Sequence, residues 1–361
     1  MHKTLQATQL QAQVSAVLIA AGSLPEEADK VAANLVLANL CGHDSHGVGM
    51  LPRYVDAMLE GGLKPNTSAR VLLDTGSLLT LDGQRGYGQI VGEQAMKLGI
   101  ERAKTHGSCI MTLANAHHLG RIGHFAEMAV AQGLIALHFV NVLSRPVVAP
   151  FGGADGRFGT NPCCIGIPLK GRSAGDAKEE NFILDFATSR VAQGKMRVAH
   201  NEGRRVAPGT LIDELGQPST DPGVVVVPQS NGLFGALLAF GEYKGYGMAV
   251  ACELLGGALT GSGTWHRPTD PSVRTVVNGM LTILIDPLKL GTQAVFEQEA
   301  LAFVNWLQAG PVAAGFDAVQ LAGEPERAYR AQREIDGISI DAQTWQEMVA
   351  AGRKVGVTLP A

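Results

Sequence analysis

Residues 78–142 hold a run of alternating patterns: LLTLDG (78–83), QIVGEQAMKLGIERAKTHG (89–107), CIMTLANA (109–116), GHFAEMAVAQG (123–133) and LIALHFVNV (134–142). The first, third and fifth stretches are short, apolar and rich in branched residues, as strands are, while the second and fourth carry apolar residues at helical spacing. Strands alternating with helices predict an α/β layer. Before it, the first 64 residues read as helices. TLQATQLQAQVSAVLIAAG is one, and SLPEEADKVAANLVLANLCG is a second that opens on a capping-box pattern of Ser23, Pro25 and Glu26 and closes at Gly42. A third spans about Gly49 to Leu59, which leaves HDSHG at a corner between two helices.

Downstream, CCIGIPL and NFILDFA read as strands, Gly171 to Glu180 as a polar exposed loop, and the chain turns helical again from Gly241 to Leu259. GSGTWHRPTDPS is a loop of variable character, MLTILIDP a strand, and 294–309 and 341–353 helices. The expected architecture is α/β (α+β), a central mixed-sheet domain of residues 71–237 with 276–299. A discontinuous helical domain, 1–70 with 238–275 and 300–361, wraps around it.

The 361 residues suffice for one large or two medium domains. With 46% hydrophobic residues, 17% charged residues and a net charge of −4, the composition is that of a compact soluble protein with nothing basic to hold nucleic acid. No stretch reaches the roughly 18–20 unbroken apolar residues of a membrane span. The cysteines, Cys41, Cys109, Cys163, Cys164 and Cys252, are odd in number and form no CxxC pair, so they read as reduced thiols of a cytoplasmic protein.

A Rossmann dinucleotide site is excluded, because no strand is followed by GxGxxG with an acid about 20 residues on. Two other places favour anions. After NAHHL, a Gly120-Arg121-Ile122-Gly123 corner opens a helix whose free N–H groups attract negative charge, with Arg121 positioned to add a bidentate contact. In ILDFATSRVAQGK a strand delivers Asp185, and Thr188 or Ser189 is placed to cap a short helix. From the residues alone an ordinary capped helix is the favoured explanation of each stretch, since caps are far commoner than cofactor sites. Lys244, ahead of Gly245 and Gly247, is placed to meet a phosphate or lie in solvent.

HDSH admits several readings. His43 and His46 with His117 or His118 have the makings of a zinc set, but no HExxH or paired-cysteine spacing accompanies them, so no metal is expected. A contiguous Ser-His-Asp triad is sterically implausible, and no GxSxG elbow is present. General acid/base chemistry by a histidine whose ordinary pKa lies near neutrality fits better, and a purely polar corner stays open beside it.

Taken in order, GHDSHGVGMLPRYV, NAHHLGRIGHFAE, RFGTNPCCIGIP, ILDFATSRVAQGK, KGYGMAVACELLGGALTG and GEPER resemble the type-2 malate/L-lactate dehydrogenase family across nearly the whole chain. The resemblance implies a non-Rossmann nicotinamide-binding fold, a homodimer, and interconversion of small 2-oxo and 2-hydroxy acids with NAD (NADH), NADP being possible. It implies His46 as the acid/base, Ser45 and Thr160 as substrate contacts, and Asp185 as a second catalytic residue close to the nicotinamide and the histidine. Cofactor contacts fall on His46, on Gly120, Arg121 and Ile122, on Ile183, Leu184, Asp185, Phe186 and Ala187, on Asn278, and on Gly323, Glu324, Pro325 and Glu326.

The chain departs from the family at two of these places. Many members carry arginine where Met50 stands, as a clamp for the substrate carboxylate. Met50 then becomes an apolar substrate contact, and another cation, Arg53 or Arg145, must hold the carboxylate. Tyr243 replaces a histidine ahead of KGY, at a further cofactor contact. The same histidine and hydride geometry would also serve reduction of a cyclic imino acid of the piperideine-2-carboxylate type, and a dinucleotide-binding paralogue without catalysis is the alternative from another class.

Overall fold

In the computed structural model, residues 3–169, 181–266 and 273–360 are described. The polar loop expected at 171–180 and the second half of GSGTWHRPTDPS, residues 267–272, lie outside them. In chain order the strands are β1 Lys3–Leu5, β2 Arg70–Asp74, β3 Leu78–Asp82, β4 Ser108–His117, β5 Ile135–Leu143, β6 Cys163–Ile167, β7 Phe182–Phe186, β8 Leu211–Ile212, β9 Pro218–Ser219, β10 Ala236–Leu237, β11 Val277–Ile285 and β12 Ile338–Ile340. The helices are α1 Ala7–Ala20, α2 Pro25–Leu40, α3 Leu51–Leu59, α4 Gly88–His106, α5 Gly123–Val130, α6 Gln193–Asn201, α7 Gly223–Val226, α8 Tyr243–Cys252, α9 Gln293–Gln308, α10 Glu324–Asp336 and α11 Ala342–Lys354.

Seven strands form one mixed sheet in the order β2-β3-β4-β11-β5-β6-β7. The strand–helix alternation over 78–142 has the consequence it should: β3 and β4, joined through α4, pair in parallel. The next unit, β4–α5–β5, is also parallel in sense, but β11 is wedged between its strands and pairs antiparallel with both. Local pattern thus fixes each strand and its direction, and a segment some 130 residues later fills the gap that the crossover leaves.

Helix α4 lies on this sheet because Val91, Ala95, Gly99 and Ala103 recur every fourth residue on one buried face, and Gly107, at φ +92°, ends it. Its core partners are Met111 and Leu113 of β4, Phe125 and Ala129 of α5, and Met280 and Leu284 of β11. A second core joins the two chain ends: α1, α2 and α3 pack with β12 and α11 around Leu18, Leu35, Tyr54 and Met348. The antiparallel pair β1–β12 ties residues 3–5 to 338–340. A third cluster, around Val148, Leu211 and Leu237, holds the small sheet β10-β8-β9 with α6 and α8.

Three local expectations are corrected. The capping box at Ser23 does not form: Leu24 is the N-cap of α2 without a side-chain bond, and the Ser23 hydroxyl meets the buried Tyr87 hydroxyl at 3.1 Å instead. No helix begins at Thr188 or Ser189, since Thr188 is buried and its Oγ1 donates to the carbonyls of Thr160 and Asn161; α6 starts at Gln193. The third helix starts at Leu51, after two 3₁₀ turns, Asp44–His46 and Val48–Met50.

Candidate active site

The corner HDSHG is built by α2. This helix ends at Leu40, and Asn39 in its last turn organises the HDSHG segment: Nδ2 donates to Asp44 Oδ1 at 2.6 Å and Oδ1 accepts from the Val48 amide at 2.8 Å. Gly47 passes directly over that side chain; a Cβ there would sit 2.2 Å from Asn39 Oδ1. From the opposite side α10 grips the turn. Arg333 donates to both Asp44 oxygens at 2.8 and 3.1 Å, and His43 Nε2 donates to Glu326 Oε1 at 3.2 Å. Thus His43 and Asp44 are committed to holding the turn, and α6 packs against it beside Ser45.

His46 is then presented to a chain of buried groups. Its Nδ1 lies 3.1 Å from His118 Nε2, His118 Nδ1 lies 2.7 Å from the Tyr54 hydroxyl, and Gln89 Nε2 donates to that hydroxyl at 2.7 Å. Helix α4 brings Gln89 to the end of β4 because residue 88 is glycine: a Cβ there would lie 2.4 Å from the carbonyls of His117 and His118. Tyr54 has one proton. Since it accepts from Gln89, it donates to His118 Nδ1; His118 then carries its proton on Nε2 and donates to His46 Nδ1, leaving the proton of neutral His46 on the outer nitrogen, Nε2. Burial, with the nearby charges of His43 and Arg121, pushes the pKa of His46 down to about 4, and burial holds His118 well below the usual range.

Asp185, at the end of β7, is placed by α5: its Oδ2 accepts from the Gly123 amide at 2.7 Å. The carboxylate therefore occupies the helix N-terminus read from the sequence as an anion site. Arg121 is likewise taken. Its guanidinium is buried and paired with Glu127 at 2.5 Å, so the expected bidentate phosphate contact is not available in this arrangement. Burial raises the pKa of Asp185, opposed by His43, the Gly123 amide and Arg121. The charges of His43 and Arg121 act on both Asp185 and His46.

The remaining candidates fall into two groups. Ile183 pairs through its amide with the Ala322 carbonyl, so the 183–187 strand end and the 323–326 helix start lie side by side, with Glu326 reaching His43. Glu326 Oε2 and Arg327 Nη2 are buried without a partner there. Thr160 is held by its carbonyl, which accepts from the Thr188 amide and hydroxyl at 3.0 Å each. Asn278 is internal: Oδ1 accepts from the Leu119 amide and Nδ2 donates to the Asn141 carbonyl, a clasp that fixes the 118–122 loop. Met50 packs in the helical core at 7% exposure, and Tyr243 stands exposed beside Phe151 and Lys244.

Sequence reading missed Tyr54, Gln89 and Arg327, and considered His118 only as a metal ligand. A tyrosine on a fully apolar helix face was the available signal, because its hydroxyl needs a partner once buried. Among the described residues no three His, Cys, Asp or Glu side chains converge as a metal set, and the facing nitrogens of His46 and His118 are spent on each other.

The family profile of malate/L-lactate dehydrogenase matches residues 5–349. The chain belongs to the malate/L-lactate dehydrogenase family. It is 44% identical to hydroxycarboxylate dehydrogenase B of Escherichia coli (strain K12) over 347 residues, 95% of this chain and 92% of that one. It is 40% identical to the L-lactate dehydrogenase of Cupriavidus necator, over 96% and 97% of the two chains. The structure of a putative malate/lactate dehydrogenase from E. coli superposes with a TM-score of 0.89 at 42% identity, covering 99% of this chain and 96% of that one. Membership in the malate/L-lactate dehydrogenase family carries 2-hydroxy acid/2-oxo acid oxidoreduction, and dehydrogenases of this family generally use a nicotinamide cofactor. No described helix is long and apolar enough to cross a membrane.

Proposed function

We propose that the protein interconverts a small 2-oxo acid and its 2-hydroxy acid by hydride transfer with NADH, NADPH being the second choice, and that His46 moves the proton. The observation that carries this reading is the chain His46–His118–Tyr54–Gln89, a buried hydrogen-bonded set that ends on one imidazole and leaves its outer nitrogen free for a substrate oxygen.

The residues around His46 suit a nicotinamide nucleotide. Glu326 Oε2 is a buried acceptor without a partner, which a ribose hydroxyl satisfies; Arg327 Nη2 is a buried donor without a partner, which a phosphate oxygen satisfies. With the 183–187 backbone and Gly323 they would hold the cofactor, whose chemistry is hydride exchange at the substrate's second carbon. The protein's own work is proton transfer and orientation. In reduction, doubly protonated His46 passes its Nε2 proton to the carbonyl oxygen and keeps the proton on Nδ1; in oxidation, that Nδ1–H tautomer, with Nε2 bare, takes the hydroxyl proton. Both working forms of His46 carry a proton on Nδ1 and need an acceptor there, so His118 must present a bare Nε2 and every bond in the chain is reversed relative to the resting tautomer. The Gln89 amide, whose Nε2 donates to Tyr54 and whose Oε1 is buried and unpartnered, supplies the acceptor that the reversed chain requires at its far end by turning over. Ser45 beside the histidine, and Thr160 clamped by Thr188, orient the substrate; Asp185, held by the Gly123 amide, presents a carboxylate near His43 and Arg121.

The protein is read as a cytoplasmic homodimer. The five cysteines are free and buried, which suits a reducing compartment. The β2 edge leaves Val71, Leu72, Leu73, Leu78 and Ile110 exposed, an apolar margin fit for a second subunit.

The test is purified protein with NADH or NADPH and a panel of 2-oxo acids and cyclic imino acids, followed by nicotinamide absorbance. Turnover of a 2-oxo acid that His46→Ala lowers by about 100-fold or more is expected. Undiminished turnover in His46→Ala would remove the histidine from the mechanism, and turnover of cyclic imines alone would reassign the substrate.

A further inference from the structure

The position at which many relatives are read to carry a substrate-binding arginine is filled by Met50, packed in the helical core, so the carboxylate of a 2-oxo acid needs another cation. Of the two arginines that the sequence offers, Arg145 is engaged: its Nη2 donates to the Val225 carbonyl at 2.5 Å and its guanidinium lies 4.1 Å over the Phe234 ring. Arg53 differs. Among the described residues it has neither a hydrogen-bond nor an ion-pair partner, and it lines a cavity of about 310 Å³ between α3, α6 and α11. That volume suits a small organic acid.

The cavity is electrostatically incomplete. Arg53, Arg197 and Lys354 face it, against the carboxylates of Asp56 and Glu347. Asp56 is already shared by Lys354 and Arg274. Arg197 makes a 3.3 Å contact with Glu347, the same carboxylate whose charge acts on Arg53, so one anion faces two guanidinium groups. Burial and the like charge of Arg197 lower the pKa of Arg53, with the Glu347 carboxylate opposing them. The cavity meets the histidine motif, although His46, Ser45 and Thr160 are not among its lining residues. It includes Gly49 of the histidine motif, where a Cβ would lie 3.4 Å from the Arg197 guanidinium. Arg53 is next in sequence to Tyr54 of the proton chain, and its charge acts on His118.

We propose that Arg53, with Arg197 beside it, binds the carboxylate of the 2-oxo acid substrate. This rests on the oxidoreductase reading above and names the group that holds the substrate. A guanidinium offers two parallel N–H donors to a carboxylate, so the pair sets both affinity and orientation.

The experiment compares wild-type protein with Arg53→Met, Arg53→Lys, Arg197→Met and His46→Ala, each checked for folding by circular dichroism. Steady-state kinetics are measured with pyruvate and with its uncharged methyl ester, and binding of the non-reacting analogue oxamate by calorimetry. Arg53→Met should raise KM for pyruvate on the order of 30-fold, leave the ester nearly unchanged, and so erase the preference for the anion. Arg53→Lys should restore part of it, and Arg197→Met should act in the same direction more weakly. Oxamate binding should survive His46→Ala and be lost in Arg53→Met. Unchanged pyruvate KM and unchanged acid-over-ester preference in Arg53→Met would overturn the assignment while leaving the oxidoreductase reading intact. Oxamate binding that depends on Arg53 in a protein that turns over no 2-oxo acid would instead keep the anion site and sink that reading.

Discussion

At the scale of single residues, the chemistry turns on where His46 keeps its proton. Its surroundings favour the neutral imidazole, with a pKa of about 4 in the free protein. The two directions of the reaction therefore respond oppositely to pH. Reduction consumes a proton held on His46, so kcat/KM for the 2-oxo acid should fall as pH rises above about 4, approaching tenfold per unit. Oxidation needs the bare nitrogen, so kcat/KM for the 2-hydroxy acid should stay level from neutrality downwards and drop only on acidification toward 4. Profiles of both directions decide it: a reductive limb that stays flat to pH 7 would show that the free protein holds the His46 proton far more tightly. The type of residue at 46 was legible in the sequence, since a histidine at a helix corner invites acid/base chemistry. Its partners were not. Tyr54 and Gln89 each look like ordinary helix residues; α3 brings the first to His118, and the close seating of α4 against the end of β4 brings the second to the Tyr54 hydroxyl.

At the scale of elements, the motif works because a turn is held from both ends. Asn39 supplies the inner support and α10 the outer one, through Arg333 and Glu326. Gly47 is where this support leaves no room. Gly47→Ala should destabilise the protein by about 2 kcal/mol or more, the cost of displacing a buried, doubly bonded amide, and should reduce turnover beyond the fraction unfolded because His46 follows the turn. Urea denaturation alongside kinetics at saturating cofactor tests this; an alanine variant with wild-type stability would mean that the turn yields freely. Sequence patterns located such elements unevenly. Helix α4 was plain from its four-residue repeat, whereas α10 carries no buried residue and hence no apolar period; charged side chains hold it to the motif. Thr188 and Ser23 carried sound capping signals, but both hydroxyls were recruited by partners distant in the chain, Thr160 and Tyr87, which local spacing does not reveal.

At the scale of the whole molecule, long-range pairing does what the local alternation cannot. The strand order could not be read beyond β3–α4–β4, because β11 enters the sheet from far downstream, and the β1–β12 pair that joins the chain ends is too short to give a pattern. The same interior carries a cost in acid. His46 and His138 are driven down to about 4 and about 3 respectively, His117 to about 3, and His118 well below the ordinary value, in every case chiefly by burial. In the unfolded chain these imidazoles titrate near 6.5, so between there and the folded values the unfolded state binds more protons. Stability is accordingly complete above about pH 6.5 and is lost progressively as pH falls toward 4. His138 isolates the effect, since it touches no charge and bonds only Thr282 through Nδ1 at 2.9 Å while its Nε2 has no partner. Replacing it with leucine should leave stability at pH 8 within about 1 kcal/mol. The same variant should lower the slope of unfolding free energy against pH between 6 and 4.5 by about 1.4 kcal/mol per unit, one proton's worth. Denaturation midpoints across that range measure it, and an identical slope in the variant would show that His138 is already protonated in the folded protein.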